Sequence, residues 1–466
     1  MVDQPNILFI FSDQHRHDVL GAAGHPLVKT PHLDRIAHEG ARFTSAWCQS
    51  PICQPSRASV ITGAYTEDLG MFANTGAFDA DWPTIMAQLQ SVGYETASIG
   101  KTHYHGMPSR DEVLAEATPY DLRRFEPFVR SFGWDYVLEE YDKYAHVSSR
   151  VRSPYIDYLQ NLGLLEDYRE QIRGVFRLTP THWRGEVSRV PQEHDLSSFI
   201  GDHAMHWLTR RDSTKPFFLK LAFVQPHVPL IDDPTWADYY RDADIPLPEQ
   251  RPARAPNDVW GDYLAVLDRH SQVETMDEDF VRNGIRHYLG MISLIDQKVG
   301  DVLELLESQG ALSNTWVVYT CDHGEMLGEH RLWAKMNFYK GAVQVPLLIR
   351  PPAGGDGREV DALVELTDVT ATLADIAGAE PPSLCRGHSL LPALDGGGVG
   401  REIVRSRIGP FSAVRDERYR FTLDRRTGTP CELFDLDADP GEYENLVDET
   451  SHAHNVRRLT QAATAE

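Results

Sequence analysis

Two short polar segments that follow apolar runs carry side chains suited to holding a divalent ion. Ser12-Asp13-Gln14 follows the run Ile7 to Phe11, and Cys321-Asp322-His323-Gly324 follows the run Trp316 to Thr320. Two carboxylates, an amide oxygen and an imidazole brought together make a chiefly oxygen-ligated site for a hard or borderline divalent ion. Either segment alone reads as turn chemistry, since Asp after a strand commonly forms turns and caps helices. Their shared placement at the ends of apolar runs favours the metal. A third feature is Cys53, preceded by Ser50-Pro51 and followed by Pro55-Ser56-Arg57. It reads as a loop cysteine just before a helix opening over Ser56 to Gly63. A thiolate near a helix N-terminus and beside Arg57 is stabilised, which suggests a nucleophile; an inert buried cysteine is the plain alternative.

These residues need a frame that carries them to one place. Short apolar runs recur at Ile7 to Phe11, Thr96 to Ile99, Phe217 to Val224, Trp316 to Thr320 and Val345 to Ile349, each the length of a buried strand. Helical spacing fills Trp82 to Val92 and His287 to Gln309. Alternating strands and helices predict an α/β fold with a mostly parallel sheet, whose ligands sit beyond the carboxyl ends of the strands. From Met107 to about Ser197 the alternation lapses into a polar and aromatic segment, which predicts an insertion over the rim. Glu359 to Gly378 reads as a strand and a helix, and Pro381-Pro382 marks a break. Candidate strands at Glu402 to Val404, Phe411 to Val414 and Tyr419 to Leu423, closed by turn-rich Asp435 to Asn445, predict a smaller antiparallel subdomain. The division expected is a catalytic domain over 1–378, with 107–197 as its insertion, and a C-terminal subdomain over 379–466.

Composition narrows the partners. The 466 residues are 41% hydrophobic, enough for real cores, and 45 Lys and Arg against 69 Asp and Glu give a formal net charge of −24. Such a surface repels nucleic acid and anionic membranes, so an anionic substrate has to be met by a metal and a few inward-pointing cations. No signal peptide or membrane span is legible, and five scattered cysteines show neither metal-site spacing nor a disulfide framework. A reducing, cytoplasmic setting is the expectation.

Cys53-x-Pro55-Ser56-Arg57 resembles the signature by which sulfatases direct oxidation of the cysteine to formylglycine. Gly100-Lys101-Thr102-His103 is similar to the second signature of that family. Pro226-His227, Lys335 and the tail Glu432 to Leu436 with Asp439-Pro440 and Asn445-Leu446 follow in the order the family shows. The resemblance covers nearly the whole chain and implies an alkaline-phosphatase-like fold, with the sheet sandwiched by helices. It also implies one divalent ion, Ca²⁺, Mn²⁺ or Mg²⁺, held by Asp13, Gln14, Asp322, His323 and the modified Cys53. The aldehyde hydrates to a diol, one hydroxyl of which attacks the ester. Within the same resemblance Arg57 orients the diol, Lys101 and Lys335 stabilise the transferring group, His103 is the base, and His227 serves the leaving oxygen. Asn74 is a weaker candidate for substrate contact, since loop asparagines usually serve turns.

Asp13-Gln14 and Asp322-His323 depart from the pattern of many arylsulfatases and are similar to that of bacterial phosphonate monoester hydrolases, phosphodiesterases and choline sulfatases. The resemblance therefore implies a sulfatase acting on small sulfate esters, with phosphorus esters as the rival substrates and a formylglycine-generating enzyme as maturation partner. It leaves room for a homo-oligomer, and for a non-catalytic metal-binding homologue against which the intact Cys53, Arg57, Lys101 and Lys335 speak.

Overall fold

A computed structural model describes residues 4–74, 76–107, 109–176, 183–249, 259–272 and 275–465; parts of the expected insertion (108, 177–182) and the last residue lie outside them. The main sheet is built from β1 (Asn6–Ser12), β2 (Ala41–Trp47), β3 (Glu95–Gly100), β4 (Tyr136–Glu139), β5 (Phe217–Ala222), β6 (Thr315–Cys321), β7 (Gln344–Arg350) and β8 (Arg358–Glu365), in the order β8-β2-β7-β6-β1-β5-β3-β4. The neighbours from β6 through β4 all pair in parallel, and only β7 runs against its neighbours. β1 lies near the middle and is buried along its whole length. Its Ile7, Phe9 and Phe11 enter one hydrophobic core, while Leu8 and Ile10 enter the other. That two-sided burial explains why the strand is an unbroken apolar run.

Register matters more for the site than strand count. Ser12 pairs with Cys321, Phe11 and Gly100 both pair with Ala222, and Gly100 pairs with Glu139. Four parallel strands and their edge neighbour therefore finish along one line, and whatever follows each of them is delivered to the same rim.

Several elements differ from the sequence reading. Tyr136–Glu139 lies inside the expected insertion yet forms the last strand of the main sheet. Its alternating burial left no apolar run to read, and the same holds for the first half of β2. The strand expected over Phe217 to Val224 ends at Ala222. The helix read over His287 to Gln309 is longer, Glu278–Ser308, and packs as the longest helix of the fold. At the C-terminus, Val404–Ile408, Phe411–Arg415, Tyr419–Asp424 and Thr429–Asp435 (β9 to β12) form a four-stranded antiparallel sheet, one strand more than expected. The helix Ala453–Thr464 covers one face of it through Leu459 and Ala463. Among the described residues, no helix is long and apolar enough to cross a membrane.

Candidate active site

Cys53 is the first residue of α1 (Cys53–Thr62), not a residue of the loop before it. Ile52 is extended as N-cap, Pro55 suits the first turn, where no backbone N–H is required, and Gly63 ends the helix with φ 71°. Every residue of α1 is buried, and one orphan N–H of its first turn, that of Gln54, donates to Asn74 Oδ1 at 2.8 Å. Asn74 itself is exposed and is engaged in this capping contact.

Around Cys53 the strand ends supply a tight group. One donor atom each from Asp13, Cys53, Asp322 and His323 lies within 4.8 Å of all the others, and all four residues are buried. Cys53 Sγ is 3.2 Å from His323 Nε2 and 4.0 Å from Asp13 Oδ1. His323 Nδ1 lies 3.0 Å from the Gly324 carbonyl oxygen. The tautomer this contact assigns places the proton on Nδ1 and leaves the Nε2 lone pair facing the group. Asp322 Oδ1 accepts from the backbone N–H of both Gln14 and His323 at 3.0 Å, which fixes its rotamer.

Arg57 braces the carboxylates. Its Nη2 donates to Asp13 Oδ2 and its Nε to Asp322 Oδ2, each at 2.9 Å, while Nη1 donates to the Lys101 carbonyl oxygen at 2.8 Å. Lys101 Nζ donates to Asp13 Oδ2 at 2.5 Å and to Asp142 Oδ1 at 2.6 Å. Burial opposes ionisation of Asp13, but Lys101, His227, Arg57 and Lys335 outweigh it and hold its pKa well below the usual carboxylate range. Burial, reinforced by Lys101, pushes the His103 imidazole well below its ordinary value, so it is neutral. His227 is buried, with Nδ1 2.9 Å from the Val228 carbonyl oxygen and 3.6 Å from Asp142 Oδ1. Lys335 Nζ donates to Gln14 Oε1, and Gln14 Nε2 donates to Glu325.

The turn that carries Lys101 and His103 depends on one glycine. Gly100 has φ 105°, and a Cβ on it would stand 1.8 Å from the Ala222 carbonyl oxygen. Glu139 then steadies the turn by accepting from the Thr102 N–H at 3.0 Å and the His103 N–H at 3.4 Å.

Asp13, Cys53, Arg57, Lys101, Asp322 and His323 thus sit together; Gln14 and Lys335 are tied to one another beside them. Three participants were not read from the sequence. Asp142 and Glu139 belong to the segment read as an insertion, where nothing marks one carboxylate among many. Glu325 stands three residues after Asp322, and that proximity was a usable signal.

Residues 5–379 match the family model described as Sulfatase. The chain belongs to the sulfatase family. Residues 328–465 also match the model described as N-sulphoglucosamine sulphohydrolase, C-terminal. The sulfatase is 29% identical to the choline-sulfatase of Rhizobium meliloti, over 96% of this chain and 83% of that protein. It is 27% identical to the arylsulfatase of Clostridium perfringens, over 99% of this chain and 94% of that one. Among solved structures it superposes on the phosphonate monoester hydrolase of Agrobacterium radiobacter with a TM-score of 0.79, covering 98% of this chain and 94% of that chain at 24% identity, a likeness of fold. The mostly parallel sheet with flanking helices and a C-terminal antiparallel sheet is that fold.

Proposed function

We propose that this sulfatase hydrolyses small sulfate esters with a formylglycine nucleophile derived from Cys53 and one divalent ion, Ca²⁺, Mn²⁺ or Mg²⁺, held by Asp13, Gln14, Asp322 and His323. The observation that carries the reading is the convergence of Asp13, Cys53, Asp322 and His323 donor atoms within 4.8 Å. The set suits a divalent ion: one carboxylate is held ionised beside Lys101 and Arg57, and one imidazole has its lone pair aimed into the group. When bound, the ion lowers the pKa of an oxygen ligand and polarises the ester, while the hydrated aldehyde supplies a hydroxyl nucleophile and a route to its own regeneration.

The chain's own residues then have distinct tasks. Arg57 keeps the Asp13 and Asp322 carboxylates apart and in place and ties them to the Lys101 turn. Lys101 and Lys335 offer ammonium groups to the charge that develops on the transferring group. His103, neutral because it is buried beside Lys101, can accept a proton at the nucleophile. His227 stands beside Asp142, where its ring can hydrogen-bond or protonate the leaving oxygen. Asn74 serves the site through α1, whose Gln54 N–H it accepts. The same reading includes a catalytic domain over 1–378, a reducing cytoplasmic setting, and maturation by a formylglycine-generating enzyme.

Mass spectrometry of the Cys53 peptide after co-expression with that enzyme tests the nucleophile. The aldehyde is expected on active protein; an unmodified thiol on fully active protein overturns the mechanism. Asp13-Gln14 and Asp322-His323 favour a second reading, a phosphonate monoester or phosphodiester hydrolase with the same nucleophile. A panel of aryl sulfate, phosphodiester and phosphonate monoester on metal-replete protein separates the two, with sulfate expected to lead.

A further inference from the structure

Sulfate monoesters and phosphodiesters carry one negative charge, whereas a phosphate monoester carries two above its second ionisation near pH ~6. A site that handles several tetrahedral esters therefore needs a means of choosing by charge. Asp142 is placed to provide it. The residue follows the end of the edge strand β4 and reaches the ring of groups assigned above to the reacting centre: its Oδ1 is 2.6 Å from Lys101 Nζ and 3.6 Å from His227 Nδ1. Burial opposes its ionisation, but Lys101 and His227 outweigh that, so it is anionic. Its side chain is 9% exposed, so it is not sealed away from the rim.

Asp142 also differs from the other carboxylates of the site. Asp13 and Asp322 are members of the metal group and are braced by Arg57. Asp142 is outside that group, and its ion-pair partner Lys101 is shared with Asp13. With Asp142 present, the carboxylates of Asp13, Asp322 and Asp142 match Arg57, Lys101 and Lys335 one for one, so Asp142 offsets one of the cations that face the reacting centre. Removing one carboxylate from this buried cluster strengthens the pull on a dianion more than on a monoanion, because the Coulomb term scales with substrate charge.

We propose that Asp142 is a specificity-determining residue, a fixed negative charge that disfavours dianionic phosphate monoesters and reserves the site for monoanionic esters. The inference rests on the site assignment under Proposed function. Its test is a comparison of binding, so that it does not depend on turnover. Metal-loaded protein carrying Cys53→Ala is titrated with phenyl sulfate and phenyl phosphate at about pH 8, alone and combined with Asp142→Asn or Asp142→Glu. Asp142→Asn is expected to shift the ratio of dissociation constants toward phenyl phosphate by about tenfold or more, while Asp142→Glu, which keeps the charge, leaves it within about threefold. An unchanged ratio in Asp142→Asn, an equal shift in Asp142→Glu, or no binding of either ligand overturns the filter. Kinetics on the Cys53 enzyme provide the second readout: in Asp142→Asn, kcat/KM for phenyl phosphate rises relative to a phosphodiester. Hydrolysis that survives Cys53→Ala would sink the proposed nucleophile and leave the binding ratio to judge Asp142.

Discussion

Two of the buried charge clusters of the sulfatase, one at the rim of the main sheet and one in the C-terminal sheet, are built to opposite ends. In the second, Arg420 donates from Nη1 to Glu432 at 2.8 Å and from Nε to Glu442 at 2.5 Å, with Thr422 Oγ1 donating to the same Glu432 oxygen at 2.9 Å. The Phe434 ring lies 4.5 Å from the guanidinium and that of Tyr339 5.1 Å. Charge there meets charge, and aromatic faces close the remainder. At the rim, Arg57 binds one oxygen of Asp13 and one of Asp322, yet the thiol, the His323 lone pair and Asp13 Oδ1 are turned toward each other. A buried ionic cluster serves chemistry when its donor atoms point at a common position, and serves architecture when they are used up on one another.

Four substitutions or conditions would break or sharpen that contrast. The largest effect is expected from Cys53→Ala, which should lower kcat for an aryl sulfate by at least about 10³-fold while metal content and the thermal midpoint hold, because no structural bond of strength depends on the thiol. Metal analysis and a melting curve on the same sample check it; retained turnover would place the nucleophile elsewhere. Arg420→Met is the mirror image. It strands Glu432 and Glu442 in the core and should cost about 3–5 kcal/mol of stability, with kcat per folded molecule unchanged, as read by urea denaturation and assays below the transition.

An intermediate effect is expected at His227→Ala. Loss of a leaving-group partner should reduce kcat by about 10²-fold for a poor leaving group and far less for an activated nitrophenol. A drop independent of the leaving group would remove His227 from that role. The smallest effect concerns Glu139, whose carboxyl is raised to about 7 by burial, against the Thr102 and His103 N–H groups and the nearby Lys220. The folded state holds this proton more tightly than the unfolded chain, so its stabilising share is complete below about pH 4 and is lost as pH rises through 7. Glu139→Gln should therefore match the parent near pH 5 and exceed it by about 1–3 kcal/mol near pH 8, measured by denaturant midpoints at both values.

The fold was legible where burial is two-sided. β1, β5 and β6 are continuous apolar runs because both faces are covered, and the residues after them stood out for that reason. β4 and the first half of β2 alternate in burial, so no run announced them, and β12 lies over a stretch noticed only for its likeness to the closing segment of sulfatases. The site divides in the same way. Asp13, Cys53, Asp322 and His323 are next to strong local signals, a strand end or a proline-flanked cysteine. Asp142 and Glu139 act only through a pairing of Gly100 with Glu139 across the sheet, and a contact fixed by register cannot be read from neighbours along the chain.

That edge strand has a consequence for how such an enzyme could diversify. β4 pairs with one neighbour, so lengthening or replacing the polypeptide beyond it breaks no pairing on a far side. Asp13, Cys53, Asp322 and His323 are fixed by interior strands and by α1, whereas Asp142 arrives just after the outermost strand. A lineage could therefore retune which charge its substrate carries by altering a segment at the periphery, while the reactive centre is inherited intact.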